Sequence, residues 1–517
     1  MPVPRPLPLS AVLATMFAAT LALPAHGQSL LDLYQAARGY DATYQAARAQ
    51  YDASLARAAQ AKAGILPAVG LSAGATATRQ DLYTPTTSTQ RSLPAQNVGI
   101  NATQPLYRPA NWATFEQGKR QADMALDQLQ LAEQDLIVRV SQAYFDVLAS
   151  QDSLALVRAQ KLAVAEQLAS AKRNFEVGTA TITDTREAQA RYDLVIAQEI
   201  AAENDLAVKK IALDQLVGRP GNIPTPLAAP VSLPSVAAAD IDAWVAQGEA
   251  GHPAVLQAQL QLDVAALEVD KAKSGHKPTL DATMGYNVTN NPLGTSTTAT
   301  KVRVNSASVG VVFNMPLFAG FATENRIKET LALQEQARAT LDATRRSVSQ
   351  ATRSAYLGLI SGAGQVKALE AAESSSQVAL DANRLGYQVG VRINIDVLNA
   401  QSQLYQTKRD LAVARYNVLL GNLKLRQANG TLTPDDLQPI NQTLAIEGRP
   451  AVDTTAPNTP PATVTQSPLP PTAPAPARKP TPIPVVPPVQ TQPLNPQAPG
   501  TPVPPPPPVI EQPQPTR

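Results

Sequence analysis

Four stretches of the chain alternate between apolar residues and polar residues or glycine. The clearest are Leu280–Thr289 and Ser308–Met315, and two similar stretches, Val69–Thr78 and Asn97–Thr103, occur earlier. A period of two is typical of β-strands, and a transmembrane strand needs about 9–11 residues. A two-sided soluble hairpin is the alternative interpretation. The pattern predicts strands at about residues 65–80, 95–107, 278–290 and 302–316.

Two long proline-free stretches favour long helices, because a proline inside a helix costs about 3 kcal/mol. Ala110–Arg219 and Leu317–Thr433 contain no proline. Apolar residues in the first stretch recur every three or four positions, which indicates a coiled-coil-like seam. A single helix over residues 110–174 would be about 98 Å long. These stretches predict helical hairpins at 110–217 and 319–430, and the alanine-rich run from Leu30 to Ala63 predicts a helix ahead of the first strands.

The chain repeats itself. Phe175–Gly178 recurs as Tyr387–Gly390 at an offset of 212 residues, and other short motifs recur at the same or nearly the same offset. Such self-similarity indicates two copies of one structural unit. We therefore divide the body into a first repeat at 28–217, a linker at 218–247, a second repeat at 248–432, and a C-terminal segment at 433–450.

Both ends of the chain differ from this body. Residues 1–27 have the basic start, apolar stretch and small residues of a secretory signal peptide. A membrane anchor is the alternative for this segment. Residues 451–517 contain 24 of the 46 prolines, a composition that predicts a disordered, polyproline-like tail.

Composition excludes several classes of function. The 43 basic and 41 acidic residues nearly balance, which argues against a nucleic-acid binder. There is no cysteine and there are only three histidines, so we expect no metal site and no cofactor. Four strands per chain cannot close a bacterial-type barrel, which needs at least eight. Several copies must therefore assemble, and the strand pattern alone leaves two, three or four copies open.

One enzyme motif has to be weighed. Gly70–Gly74 matches the nucleophile-elbow pattern of esterases, with Ser72 as the nucleophile. That elbow needs a strand-to-helix turn and a histidine, whereas this pentapeptide lies inside an alternating segment. We therefore expect no enzymatic activity.

A resemblance to a known family rests on motifs around the two glycine turns. The second repeat carries Gly386–Ala400, Ala414–Asn417 and Asn429–Leu432, and the first carries Phe175–Asp184 and Ala190–Asp193. These motifs resemble those of the TolC family of outer-membrane channel proteins, and the resemblance covers about residues 29–440. The lipoprotein branch of the family begins its mature chain with a cysteine, which this chain lacks.

The resemblance implies a mixed α and β membrane protein with two internal repeats per chain. Three copies would form a 12-stranded outer-membrane β-barrel continued by a long α-helical coiled-coil barrel in the periplasm. The implied partners are outer-membrane lipid, a periplasmic adaptor (membrane fusion protein), and an inner-membrane transporter of the ABC or RND type. The implied function is an exit duct for type I protein secretion or for efflux of small toxic compounds. A periplasmic or surface coiled-coil structural protein without a pore is the alternative.

The resemblance also carries roles for individual residues. Thr183, Asp184, Tyr387 and Arg392 match positions whose polar links hold the periplasmic end closed. Asp396 matches a position whose carboxylates ring the constriction, and Asn399 stands where the family pattern has a second acid. The residues expected at the adaptor-facing tips are Val177, Gly178, Thr179, Val389, Gly390 and Val391.

Local chemistry offers a simpler role for two of the acids. Asp184 with Glu187 three residues later fits an N-cap with its capping box, and Asp396 can be interpreted in the same way. Capping and gating are compatible, so the sequence leaves both roles open.

Overall fold

The computed structural model describes residues 27–228, 240–296 and 298–444. The expected signal peptide, except for its last residue, and the proline-rich tail lie outside these ranges. The first repeat consists of α1 Leu30–Tyr40, α2 Ala42–Ala63, β1 Ala68–Thr84, β2 Thr87–Tyr107, α3 Pro109–Glu176 and α4 Ile182–Val217. The second consists of α5 Ile241–Gly251, α6 Pro253–Lys273, β3 Thr279–Asn291, β4 Val302–Asn314, α7 Ala322–Gln388 and α8 Asn394–Ala428. A short helix, α9 Leu437–Gln442, follows.

The strands form one antiparallel sheet in the order β1-β2-β3-β4. The first hairpin is longer than the sequence pattern predicted. Its ladder continues to the pair Thr84 and Thr87, so the residues expected as a loop between 80 and 95 are paired strand except for the two turn residues 85 and 86. The Thr84 hydroxyl donates to the Thr87 carbonyl at 3.0 Å and helps to close the tight turn. Because β3 pairs with β2 only as far as Gln96, the end of this hairpin extends beyond the other two strands.

The sheet has one apolar and one mostly polar face. Residues directly opposite each other on neighbouring strands point to the same side, so the register assigns every strand position to a face. We call the side of the sheet on which β1 carries Val69 and Leu71 the apolar face. The register places Val309, Val311 and Phe313 of β4 on the same side. These five side chains are all more than 60% exposed, so the chain alone does not cover this face.

The helices form two long antiparallel hairpins. Helix α3 has 68 residues and α7 has 67, so each is about 100 Å long at 1.5 Å per residue. Within the chain, α3 packs against α8, which joins the two hairpins, while α4 and α7 flank this pair. None of the described helices is sufficiently long and apolar to span a membrane.

The expected helical run from Leu30 to Ala63 is broken at Asp41. The Asp41 carboxylate accepts a hydrogen bond from the Tyr44 amide at 2.8 Å and caps the start of α2. Arg139 of α3 donates to both carboxylate oxygens, at 2.9 and 3.1 Å, and this hydrogen-bonded pairing holds the pKa of Asp41 below its ordinary value. The break therefore fixes the N-terminal helices against α3. A helix, α5, also begins inside the stretch expected to be a linker.

Candidate functional site

The two helical hairpins turn with the same backbone geometry. Gly178 has φ +80° and Gly390 has φ +78°, a left-handed conformation that favours glycine. In the first turn the amides of residues 179 and 180 donate to the Asn174 carbonyl. In the second turn the amides of residues 391 and 392 donate to the Gly386 carbonyl. Each glycine thus lets the chain reverse while the last helical carbonyls stay hydrogen-bonded.

Asp184 is part of a capping box, at a different position from the one predicted. The N-cap of α4 is Thr181, and Asp184 is the third helical residue. Asp184 Oδ2 accepts from the Thr181 amide at 2.9 Å and from the Thr181 hydroxyl at 2.7 Å. The Asp184 amide donates back to that hydroxyl. The box therefore starts three residues earlier than the Asp184–Glu187 pair suggested.

Polar contacts join the two turns within one chain. The Asn174 side-chain amide donates to the Tyr387 hydroxyl at 3.2 Å. Asn394, which is fully buried, donates to the Asp184 carbonyl at 3.2 Å and accepts from Gln167. Sequence reasoning missed Gln167, Asn174 and Asn394 in this role. The available signal was their polarity at positions where a coiled-coil seam is usually apolar.

Three of the four predicted gate residues line one cleft, and the fourth lies outside it. Asp184, Tyr387 and Arg392 line one cleft of about 780 Å³ between the turns, together with Asn394. Thr183 is exposed beside it. This arrangement puts a carboxylate, a phenol and a guanidinium on one polar surface at the end of the hairpins.

The two residues expected at the constriction have partners within the chain. Asp396 lies 3.7 Å from the Arg392 guanidinium, and both side chains are partly exposed. Asn399 accepts a hydrogen bond from Arg191 of α4 at 2.9 Å. Ile393, the N-cap of α8, offers no side-chain cap, so Asp396 does not sit in a capping box like that of Asp184.

The turns end in exposed apolar side chains. Val177 is 73% exposed, and Val389 and Val391 are 65% and 75% exposed. Gly178, Thr179 and Gly390 lie among them and are exposed as well. Single exposed apolar residues are ordinary, but a group of valines at both hairpin ends is typical of a surface that contacts another protein.

Farther from the turns, a partly buried hydrogen bond connects the hairpins. The Tyr416 hydroxyl of α8 donates to Asp152 Oδ2 of α3 at 2.6 Å, and the Tyr416 ring packs against Phe145. Burial raises the pKa of Asp152, although the hydrogen bond from Tyr416 partly opposes that shift. Sequence reasoning missed this pair, whose members are 264 residues apart.

Ser72 does not have the surroundings of an esterase nucleophile. Ser72 lies in the middle of β1, where its hydroxyl donates to the Gly99 carbonyl, so it is not at a strand-to-helix elbow. Within the parts of the chain that the structure describes, no three His, Asp or Glu side chains are grouped to hold a metal ion.

Comparison with known proteins identifies the family of the chain. The family model described as outer membrane efflux protein matches residues 33–219 and 244–431, one match in each repeat. The chain belongs to this family. It is 33% identical to the outer membrane protein TolC of Vibrio cholerae over 441 residues, which cover 85% of this chain and 98% of that protein. It is 30% identical over 436 residues to the proteases secretion protein PrtF of Dickeya chrysanthemi, covering 83% and 93% of the two chains.

A solved structure shares the fold. The outer membrane protein VceC of Vibrio cholerae superposes with a TM-score of 0.67 at 18% identity, covering 78% of this chain and 96% of that one. The family assignment confirms the expected fold class, with two repeats that each supply strands and a helical hairpin. The protein is an outer-membrane exit duct and not an enzyme.

Proposed function

We propose that three copies of the chain form a channel that accepts its cargo from an inner-membrane transporter of the ABC or RND type through a periplasmic adaptor. The observation that carries the proposal is an open four-stranded sheet joined directly to two helical hairpins of about 100 Å. The sheet suits the outer membrane, and the hairpins have the length to extend far into the periplasm.

The edges of the sheet support a homotrimer. Within the described chain, β1 pairs only with β2 and β4 pairs only with β3. Unpaired strand edges are unfavourable in a bilayer, because no water is available to hydrogen-bond the free backbone groups. Pairing β1 of one copy with β4 of the next removes both edges, and three copies give the twelve strands expected of this family.

The outer helices of the hairpins support the same assembly. Helix α7 exposes Leu357, Val378 and Leu385, which are spaced in multiples of seven residues, and α4 exposes Ile200 and Ile211. A heptad spacing of apolar residues is the pattern of a coiled-coil seam. We propose that α7 of one copy packs against α4 of its neighbour and buries both stripes.

In this trimer the polar cleft between the turns becomes the gate. Arg392 has a partner at 3.7 Å in its own turn and is 59% exposed, so its guanidinium is available to a neighbouring copy. The proposed acceptors there are the Asp184 carboxylate and the Thr183 hydroxyl. Tyr387 supports the gate from within the chain through Asn174.

The constriction ring is proposed to be weaker than in family members with two acids. Asp396 would supply one carboxylate per copy and Asn399 none. Arg392 lies close enough to Asp396 to offset part of that charge. A ring of three partly compensated charges attracts cations less strongly than a ring of six.

The proposed cargo is either a secreted protein or a small toxic compound. The family description names efflux, whereas the name of the PrtF relative refers to secretion of proteases. The exposed tip residues Val177, Gly178, Thr179, Val389, Gly390 and Val391 form the proposed adaptor contact. The expected locations are the outer membrane for the sheet and the periplasm for the hairpins and the proline-rich tail.

The test is fractionation followed by reconstitution. We expect the protein in the outer-membrane fraction, as a heat-modifiable trimer on a gel, with ion conductance in planar bilayers. A monomer in the periplasmic fraction that gives no conductance would instead support the coiled-coil structural protein.

A further inference from the structure

The end of the sheet farthest from the helices carries an excess of positive charge. Residues 77–95 and 290–303 contain four basic residues and one acid, namely Arg79, Asp81, Arg91, Lys301 and Arg303. Neither the gate nor the trimer contacts require this charge.

The ladder register assigns most of these charges to faces. Arg79 and Asp81 share the apolar face with Leu71, since all are odd-numbered positions of β1 with an unbroken register to β2. Arg303 lies opposite Asn290, which lies opposite Gln96, and this row is also on the apolar face. Arg91 lies opposite Gln80 and therefore points to the polar face.

The two arginines on the apolar face border its apolar band. On β1, Arg79 follows Ala77, the last residue of the band, at the next position on that face. On β4, only Asn305 separates Arg303 from the apolar residues that begin at Ala307. Both arginines are exposed. In an outer membrane the outer border of the apolar band is where the acyl chains of the outer leaflet end and the headgroups begin.

Trimer closure brings the two arginine-bearing edges together. Arg79 is on β1 and Arg303 is on β4, the two free edges of the sheet. Once β1 of one copy pairs with β4 of the next, these strands lie about 4.8 Å apart. Each of the three seams then carries two guanidinium groups on its lipid side, and Arg is well suited to bind phosphate in a bidentate manner.

We propose that Arg79 and Arg303 form, at each seam, a binding site for a phosphorylated lipid of the outer leaflet. This inference rests on the proposed trimer. The acyl chains would cover the apolar band, while the two guanidiniums would hold the headgroup phosphate. Asp81, one position farther out on the same face, opposes binding by repelling the phosphate.

Native mass spectrometry of the detergent-purified trimer tests the proposal. The probes are lipid A, which carries two phosphates, and the same lipid after removal of both phosphates. Wild type is expected to bind up to three copies of lipid A and to bind the dephosphorylated lipid much more weakly. The double variant Arg79→Gln, Arg303→Gln is expected to bind lipid A about 25-fold more weakly, at about fivefold per arginine near a charged surface.

Two further variants control for the position and sign of the charge. Arg91→Gln removes the same charge at the same end of the sheet but on the polar face, and is expected to bind lipid A like wild type. Asp81→Asn is expected to bind it more tightly. Equal binding by wild type and the double variant would overturn the proposal. The proposal would also be overturned if Arg91→Gln bound lipid A more weakly while the double variant bound it like wild type. The basic site would then lie on the polar face, in the channel mouth.

Planar-bilayer conductance of the same preparations separates this inference from the proposed function. If the trimer conducts but the wild type and the double variant bind lipid A equally, only the lipid site is refuted. Failure of the wild type to form a trimer would refute both, since the site needs the seam.

Discussion

The hydrogen bond between Tyr416 and Asp152 gives the sharpest test of how the two hairpins are held together. Tyr416 is 6% exposed, and its hydroxyl donates to the Asp152 carboxylate at 2.6 Å. Tyr416→Phe keeps the ring and its packing but leaves the partly buried carboxylate without that donor. A hydrogen bond to a charged group is worth about 1.5–3 kcal/mol. With one such bond in each of three copies, the loss is about 5–9 kcal/mol per trimer.

The companion variant Asp152→Asn should behave differently. It retains an oxygen that can accept from Tyr416 and removes the charge whose burial is unfavourable. We therefore expect it to be as stable as wild type at pH 7.5 or more stable. Tyr83→Phe, at a 77% exposed tyrosine, controls for the general effect of losing a phenol and should leave stability unchanged.

The pH dependence follows from the raised pKa of Asp152. The folded protein binds this proton more tightly than the unfolded chain, so the contribution to stability improves as the pH falls through the folded pKa. The penalty in Tyr416→Phe should therefore be largest well above the folded pKa of Asp152 and shrink as the pH falls through that pKa, because a protonated Asp152 no longer buries a charge.

Thermal unfolding of the detergent-solubilised trimer at pH 7.5 and at a series of lower pH values is the assay. We expect the Tyr416→Phe midpoint to fall by a few degrees at pH 7.5 and by progressively less as the pH is lowered. The reasoning is refuted if Tyr416→Phe melts like wild type at every pH. It is also refuted if Asp152→Asn loses as much stability as Tyr416→Phe, since the charge would then be stabilising.

Three further predictions address the gate, the constriction and the N-terminal helices. The double variant Tyr387→Phe, Arg392→Ser should conduct more than wild type in planar bilayers, because polar links worth about 0.5–1.5 kcal/mol each are lost three times over; unchanged conductance would contradict the gate assignment. Asp396→Asn should nearly abolish block by a trivalent cation and Asn399→Asp should strengthen it, as measured by single-channel current; block that persists without the Asp396 charge would rule out the ring. Asp41→Asn should lower stability by about 1–2 kcal/mol at pH 7 through loss of its charged arginine contact. Because the pKa of Asp41 is lowered, that loss should fade as the pH falls through the folded pKa. Urea unfolding at pH 7 and at a series of lower pH values is the measurement, and a loss that does not change with pH would contradict the prediction.

Much of the fold could be predicted from the local periodicity of the sequence. The alternation in Leu280–Thr289 requires only neighbouring residues to be recognised, and β3 runs from Thr279 to Asn291. The first part of the proline-free stretch Ala110–Arg219 likewise lies in one helix, Pro109–Glu176. Positions of the glycine turns could also be recognised from the sequence, because a left-handed residue at a helix end favours glycine. Motifs that recur at an offset of 212 residues also showed that the body consists of two copies of one unit.

Local patterns were less informative where the same residues are compatible with two local structures. The sequence placed a cap at Asp184, but Thr181 three residues earlier forms the N-cap because its hydroxyl and the Asp184 carboxylate satisfy each other's backbone amides. The residues between 80 and 95 are polar and were expected to form a loop. They continue the ladder as far as Thr84 and Thr87, since in a two-stranded ribbon both faces are open and polar side chains can be accommodated.

The sequence by itself determined the strands, the hairpins, the duplication and the family to which the chain belongs. Only the tertiary structure decided which hairpin faces meet, and so which polar residues become partners. Asn394 contacts Asp184 across 210 residues, and Tyr416 contacts Asp152 across 264. Such pairs leave no periodic signal, because each depends on the rotation of one long helix against another. That rotation is set by the packing of the whole seam and by no single stretch of sequence.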